Sequence, residues 1–148
     1  MSAGYSGTPL AKKLGIAPER TVCVLGAPDG FLDVLATTLP DGVPVRTRAA
    51  GTADVIVAFH TSRAKLEARV DALLRVLDVD GGLWIAWPKR ASGMATDITE
   101  DTVREVFLPL GLVDNKVCAI DDTWSGLRVV WRKELRADRR AAGARGRP

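Results

Sequence analysis

Three continuous apolar runs constrain the fold of this chain more than any other feature. They cover Thr21 to Leu25, Asp54 to Phe59 and Leu83 to Trp87, and each is rich in β-branched or aromatic residues. Runs of this kind, which lack a polar alternation, are typical of strands buried on both faces. Such strands lie in sheets covered by helices on both sides, so the runs predict an α/β fold with a mostly parallel sheet.

Amphipathic helices are predicted between these strands. One begins at Phe31, a second carries the apolar stripe from Leu66 to Leu77, and a third carries the apolar positions from Val103 to Leu110. A short strand is expected around Val43 to Arg48, and a turn is expected from Asp78 to Gly82. Strands that alternate with helices favour right-handed βαβ crossovers.

The end of the chain follows a different pattern. Leu112 to Ile120 and Leu127 to Arg132 are two further predicted strands, and the short polar segment 121–126 joins them. This spacing is typical of an antiparallel hairpin. The sequence therefore predicts one three-layer domain with a mostly parallel sheet that ends in an antiparallel hairpin.

The chain of 148 residues has the length of a single domain. We divide it into an N-terminal segment, 1–19, the α/β domain, 20–133, and a tail, 134–148. The first segment contains a short latch helix, from Thr8 to Gly15, with Pro9 at its first turn. Residues 132–148 carry a net charge of +5, which leaves −2 for residues 1–131. A tail so basic and so poor in apolar residues is expected to be disordered.

The apolar runs also limit where the protein can reside. They stop well short of the roughly 18 residues that a membrane-spanning helix needs, so no membrane association is expected. The first residues do not resemble a secretory signal, and a cytoplasmic location is predicted.

Cys23 and Cys118 each lie in an apolar run, where free buried thiols are expected. One histidine and two scattered cysteines predict no metal site.

The order of elements resembles the class I methyltransferase fold. The resemblance lies in the segment Asp54 to His60, which is similar to that family's fourth strand, and in Asp80 to Trp87, which is similar to the glycine turn into its fifth strand. It implies a first loop with a G-x-G-x-G pattern, where backbone N–H groups approach S-adenosylmethionine. It also implies an acidic residue at the end of the second strand, which binds the ribose.

This chain departs from both of those features. Positions 26, 28 and 30 are glycine, proline and glycine, and proline removes a backbone donor and fills space. Arg46 and Arg48 stand where the acid is expected, and few residues between Arg48 and Asp54 remain for a third strand and its helix. The scaffold is therefore predicted to be degenerate and reduced in its second and third strands, and no bound cofactor is expected.

A second resemblance covers nearly the whole chain. The segments Tyr5 to Gly15, Trp87 to Gly93 and Val117 to Arg128 resemble a bacterial, mostly actinobacterial, family catalogued as a domain of unknown function. This resemblance implies no activity, substrate or catalytic residue.

The candidate ligand-binding residues follow from the expected topology, because ligands of open α/β sheets bind beyond the carboxyl ends of the strands. The residues predicted at that edge are Gly26, Asp29, Gly30, His60, Ser62, Arg63, Lys89, Arg90, Ser92, Asp121, Asp122, Trp124 and Ser125. Together they suggest a site for a phosphate or a carboxylate.

Each of these residues also has a structural interpretation. The structural interpretation of Ser62 is a helix N-cap. His60 acts as a general base only if Asp121 or Asp122 reaches it, and otherwise it is a hydrogen-bonded structural histidine. Trp124, on a polar hairpin tip, either meets a ligand or folds over the sheet edge. Lys65 is interpreted as part of a solvated helix face.

Three hypotheses of function follow. The first is a non-catalytic or regulatory module that binds a small anionic ligand or a protein partner. The second is a divergent transferase, which could depend on S-adenosylmethionine. The third is a weak nucleic-acid binder that acts through the basic tail, and it ranks last because the body of the chain is slightly acidic. A homo-oligomer is compatible with all three.

Overall fold

The three apolar runs form neighbouring strands in the computed structural model, which describes residues 8–145. Within that range the strands are β1 (Val22–Leu25), β2 (Val45–Arg46), β3 (Ala53–Phe59), β4 (Leu77–Pro88), β5 (Leu112–Ala119) and β6 (Trp124–Trp131). They form one six-stranded sheet in the order β2-β1-β3-β4-β6-β5. The first four are parallel, and β6 pairs antiparallel with β4 and β5. The predicted α/β fold, with its mostly parallel sheet and C-terminal hairpin, is confirmed.

Helices cover both faces of this sheet. They are α1 (Leu10–Lys13), α2 (Phe31–Ala36), α3 (Arg63–Val76), α4 (Glu100–Phe107) and α5 (Lys133–Arg145). α1 and α2 cover one face, where Leu14 and Leu35 share a buried cluster with Trp84. α3 and α4 cover the other face, where Leu73 and Phe107 are fully buried. The two clusters give the predicted three layers.

The latch helix, α1, belongs to the core. Leu10, Ala11 and Leu14 are at most 2% exposed. The indole N–H of Trp84 donates a hydrogen bond of 3.0 Å to the Leu14 carbonyl, and Lys13 Nζ donates one of 2.9 Å to the hairpin. These buried contacts fix α1 on the sheet, so it does not act as a loose lid. Residues 1–7 of the predicted N-terminal segment lie outside the described range.

The predicted turn from Asp78 to Gly82 is wrong, because these residues continue β4. The pairing of β3 with β4 shifts in register between Ala53 and Val55, and the extra residues of β4 are accommodated there. A Cβ at Gly81 would lie 2.6 Å from the Asp54 backbone oxygen. Gly81 therefore allows two strands to approach closely. A glycine in this role and a glycine in a turn look alike in the sequence.

We expect segment 134–148 to be disordered, but residues 134–145 belong to the helix α5. Residues 146–148 lie outside the described range. The Arg139 guanidinium carbon lies 3.6 Å above the Trp131 ring, and Arg140 pairs with Asp80. These contacts to the domain stabilise a helix that its composition alone would not. Among residues 8–145, no helix is long and apolar enough to cross a membrane.

The reduction of the sheet around β2 is as predicted. β2 contains only Val45 and Arg46, and residues 47–52 lead directly into β3. The Arg46 guanidinium donates hydrogen bonds to the backbone carbonyls of Ala50 and Thr52, which closes this short connection. The described residues between β2 and β3 therefore contain no helix.

Both cysteines are free thiols. Cys23 is fully buried in β1, and Cys118 in β5 is half-buried, so the prediction of burial holds fully only for Cys23. Burial raises the pKa of both thiols, although neighbouring cations act in the opposite direction. Both groups are therefore protonated at neutral pH, which is unfavourable for nucleophilic chemistry.

Candidate functional site

Two clefts of opposite charge open at the carboxyl edge of the described sheet. The first, which we call the acidic cleft, has a volume of about 310 Å³ and includes Pro28, Asp29, Gly30, Asp121, Asp122 and Thr123 in its lining. The second, which we call the basic cleft, has a volume of about 640 Å³ and includes Gly26, His60, Thr61, Lys65, Arg69 and Trp124. Both volumes lie within or near the range of small-ligand pockets.

An aromatic wall separates the two clefts. The rings of Phe31 and Phe59 have centroids 4.8 Å apart, and those of Phe59 and Trp124 are 5.1 Å apart, both in edge contact. Phe31 lines the acidic cleft, whereas Phe59 and Trp124 line the basic cleft. Trp124 lies at the start of β6 and is 7% exposed, so it folds over the sheet edge instead of standing on the hairpin tip.

His60 lies at the base of the basic cleft, directly after β3. Its side chain is only 7% exposed, and its Nδ1 has no hydrogen-bond partner among the described residues. Burial, followed by the charge of Arg69, lowers the pKa of His60 to about 4, and a hydrogen bond to the Ala58 backbone opposes that shift. The imidazole is therefore neutral at physiological pH. A buried polar atom without a partner is costly and needs an explanation; the other such atom among the described residues, Trp131 Nε1, lines neither cleft.

Lys65 and Arg69 line the same cleft from α3, one helical turn apart. In the part of the chain that the structure describes, neither forms an ion pair. Arg63 on the same helix differs, because it pairs with Glu67 and Glu105. The sequence interpretation missed Arg69 and assigned Lys65 to a solvated face. Ala68 and Ala72, which line the same cleft from α3, are the signal that could have indicated an open ledge.

Ser62 and Arg63 have structural roles at the start of α3. The Ser62 hydroxyl accepts a hydrogen bond from the Lys65 N–H at 3.4 Å, which is the N-cap that the sequence predicts. The Arg63 N–H donates to Asp97 Oδ1 at 2.7 Å. Neither Ser62 nor Arg63 lines either cleft, and the first amides of α3 are already bonded to protein oxygens.

The predicted cluster that follows β4 also lies outside both clefts. Lys89 donates its N–H to the Thr123 carbonyl at 2.7 Å, which joins this loop to the hairpin. The Ser92 hydroxyl donates to the Lys89 carbonyl at 2.7 Å, within a short 3₁₀ turn that begins at Arg90. Arg90 is exposed. These residues shape the loop, and they are not brought together with His60 in either cleft.

The hairpin carboxylates divide into one structural group and one solvated group. Asp121 Oδ1 accepts hydrogen bonds of 2.8 Å from the N–H groups of Thr123 and Trp124, so it holds the turn. Asp122 is exposed. Among the described residues no carboxylate is bonded to His60, so the condition for a general base is not met. Ser125 lines neither cleft.

The first loop contributes to both clefts. Gly26 has a φ of +68°, and a Cβ there would lie 2.9 Å from the Phe59 backbone oxygen. Gly30 has a φ of +84°, and a Cβ there would meet nothing within 4 Å. The Phe31 N–H donates to the Pro28 carbonyl at 3.1 Å, so the loop closes as a turn before the six-residue helix α2.

Comparisons with known proteins identify the fold alone. No protein-family model matches the chain, and no curated protein matches it. A SAM-dependent methyltransferase from Aquifex aeolicus is 16% identical with a TM-score of 0.62, covering 81% of this chain and 86% of that one. A ribosomal protein L11 methylase from Lactobacillus delbrueckii subsp. bulgaricus is 13% identical with a TM-score of 0.58, covering 83% and 75%. The fibrillarin pre-rRNA processing protein of Methanococcus jannaschii is 14% identical with a TM-score of 0.58, covering 84% and 69%.

These similarities agree with the observed strand order. They also agree with the resemblance of the predicted order of elements to the class I methyltransferase fold. They establish that this chain has a methyltransferase-like Rossmann fold. The same fold supports many unrelated functions, so the function has to be argued from the clefts.

Proposed function

We propose that this chain is a non-catalytic module that binds a small organic anion in the basic cleft. The observation that supports this most is the juxtaposition of His60 with two cations. The His60 side chain is more than nine-tenths buried with an unpartnered Nδ1, and Lys65 and Arg69 have no carboxylate partner within the described residues. A bound anion would supply partners to all three groups at once.

The same cleft lacks a pair of groups suited to acid–base chemistry. A general base needs a pKa near the working pH, whereas that of His60 is lowered to about 4. Asp121, which the sequence offers as its partner, is bonded to the hairpin backbone. We therefore favour binding over catalysis.

The residues that would hold S-adenosylmethionine in this fold do not fit that cofactor. Pro28 removes a loop donor, and the turn that follows it is closed by the Phe31 N–H. Arg46, where a ribose-binding acid is implied, is bonded to the connection 47–52. That connection also replaces the strand and helix that would flank the adenosine. We derive no reaction step through this cofactor.

A divergent transferase is the second candidate, because the structures similar to this chain include SAM-dependent methyltransferases. The acidic cleft adds one supporting observation. Three carboxylates, those of Asp29, Asp121 and Asp122, line it, and they would favour a cationic sulfonium over an anion. This candidate ranks second because the loop beside that cleft is closed as a turn.

The remaining hypotheses have less support. A nucleic-acid role for the tail needs available arginines, whereas Arg136, Arg139 and Arg140 contact Trp131 or Asp80 in the domain. A protein partner or a second copy of the chain stays an alternative occupant of the same edge. We also propose a cytoplasmic location and membership of the actinobacterial family that the three long segments resemble.

Thermal unfolding in the presence of candidate ligands tests the proposed function. We expect an increase of Tm that depends on the concentration of aromatic phosphates or carboxylates, and none with S-adenosylmethionine. The variant Arg69→Gln should lose the increase. Arg75→Gln, which changes an exposed arginine of α3 outside the basic cleft, is the matched control. Stabilisation by S-adenosylmethionine, with none by any anion, would instead support the transferase.

A further inference from the structure

The charge of the basic cleft constrains which anion it can bind. Lys65 and Arg69 are spaced at i and i+4 on α3, which places their side chains on one helix face with Cβ atoms about 6 Å apart. The nearest paired cation of the same helix, Arg63, is already neutralised by Glu67 and Glu105. Two positive charges without partners are complementary to a dianion.

A phosphate monoester fits this requirement better than a carboxylate does. It carries a charge of roughly −1.5 to −2 near neutral pH and has three terminal oxygens. Those oxygens can accept a forked pair of hydrogen bonds from Arg69 and a separate bond from Lys65. A single carboxylate carries one charge and would leave one of the two cations unpaired.

The third polar contact comes from His60. The residue lines the same cleft and its Nδ1 is buried beneath the surface without a partner, so a rotation of the imidazole would bring that nitrogen to an anion on Lys65 and Arg69. The neutral imidazole has one N–H, so Nδ1 either donates that N–H to a phosphate oxygen or accepts from the O–H of a monoprotonated phosphate, and in both cases no third charge is added. Burial makes that bond valuable, because water does not satisfy the nitrogen in the absence of a ligand.

The other walls of the cleft are apolar and suit a flat group. Phe59 and Trp124 present aromatic rings on one side, and Ala68 and Ala72 leave an open ledge along α3 on the other. The volume of about 640 Å³ exceeds what a bare phosphate ion needs.

We infer that the basic cleft binds a phosphate monoester whose organic part is flat and unsaturated, with Lys65, Arg69 and His60 on the phosphate and Phe59 and Trp124 on the organic part. The inference rests on the proposed function, and it adds the chemical class of the ligand. No chemical step is involved, since the ligand is held and released unchanged.

Calorimetric titration with three matched probes tests the inference on the full chain. The probes are 1-naphthyl phosphate, 1-naphthoate and 1-naphthol, which share the flat group and differ in charge. We expect the phosphate to bind at least about tenfold more tightly than the carboxylate, and the neutral naphthol to bind most weakly. Inorganic phosphate should bind more weakly than 1-naphthyl phosphate, because it lacks the group that the aromatic wall contacts.

Single variants assign the contacts. Lys65→Gln and Arg69→Gln should each weaken binding of 1-naphthyl phosphate about tenfold or more, whereas the control Arg75→Gln should leave it unchanged. His60→Leu should weaken binding without lowering the unfolding midpoint at neutral pH, because it removes an unpartnered buried nitrogen. A purely structural histidine would show the reverse, with a lower midpoint and unchanged affinity.

The failures of the inference and of the proposed function can be told apart. If 1-naphthoate binds as tightly as 1-naphthyl phosphate through Arg69, the phosphate assignment is wrong and the anion-binding module stands. If neither anion binds, both are overturned. If both bind and neither Arg69→Gln nor Lys65→Gln changes the affinity, the site lies elsewhere, and again both are overturned.

Discussion

The acidic and basic clefts are both lined by the first loop and by neighbouring residues of the hairpin, 121–123 in the acidic cleft and Trp124 in the basic cleft, yet their polar groups differ. In the acidic cleft, Asp121 and the Pro28 carbonyl are bonded to the backbone, and Asp29 and Asp122 face solvent. In the basic cleft, the His60 nitrogen is buried and has no described partner. The two clefts therefore differ in whether a buried polar atom lacks a partner, and on this difference we base the proposed ligand site in the basic cleft.

The largest expected effect is a pH dependence of the free energy of unfolding, and it is caused by His60 in the basic cleft. The unfolded chain protonates His60 near its ordinary pKa of 6.5, whereas the folded chain does so only at about 4. As pH falls from 6.5 towards 4, the unfolded state gains a proton that the folded state does not. The His60 contribution to the free energy of unfolding should therefore decrease, by up to about 3 kcal/mol near pH 4.

Urea unfolding at several pH values measures this effect. The quantity to compare is the free energy of unfolding of the natural chain and that of His60→Leu at each pH. The carboxylates titrate in both proteins and cancel in the difference. The two stabilities should diverge as pH falls below 6.5 and run parallel above it. Parallel curves over the whole range would mean that His60 is solvated or paired, and the contrast between the clefts would then fail.

A smaller effect distinguishes the two glycines of the shared first loop. Gly26→Ala would place a Cβ 2.9 Å from the Phe59 backbone oxygen at a φ of +68°, whereas Gly30→Ala meets nothing within 4 Å at a φ of +84°. We expect a loss of about 2–3 kcal/mol at position 26 and about 1 kcal/mol at position 30. Denaturant unfolding checks both, and equal losses would contradict the close packing of the basic cleft against β3.

The smallest effect concerns the two hairpin carboxylates. Asp121→Ala removes the acceptor of two backbone N–H groups and should cost about 1–2 kcal/mol, while Asp121→Asn keeps an acceptor oxygen and should restore most of it. Asp122→Ala should change stability by less than about 0.5 kcal/mol. Thermal unfolding of the three variants measures these differences. A large loss at Asp122, with none at Asp121, would reverse the roles assigned in the acidic cleft.

The sequence predicts the sheet well because its strands are continuous apolar runs, a local signal of burial. It misses β4 between Asp78 and Gly82, because Gly81, which allows a close approach to β3, resembles a turn residue. It misses α5 for a similar reason, since Arg140 of that helix pairs with Asp80 in the distant strand β4. In both cases a contact between remote segments overrides a local preference.

The candidate site was predictable only in outline. His60, Gly26 and Trp124 follow from the rule that ligands bind at the carboxyl edge, and all three line the basic cleft. Lys65 and Arg69 do not follow from it, because their availability depends on which carboxylates reach α3. Arg63 finds two such partners and they find none among the described residues, a difference that helix periodicity alone cannot reveal.

A ¹H–¹⁵N NMR titration of the full chain with 1-naphthyl phosphate tests the contrast between the clefts most directly, because it reports on both in one measurement. The account predicts saturable shifts of the amides of Gly26, His60, Thr61 and Arg69, with small changes at Asp29, Gly30 and Asp122. Saturable shifts confined to the acidic cleft, or none in either cleft, would contradict it.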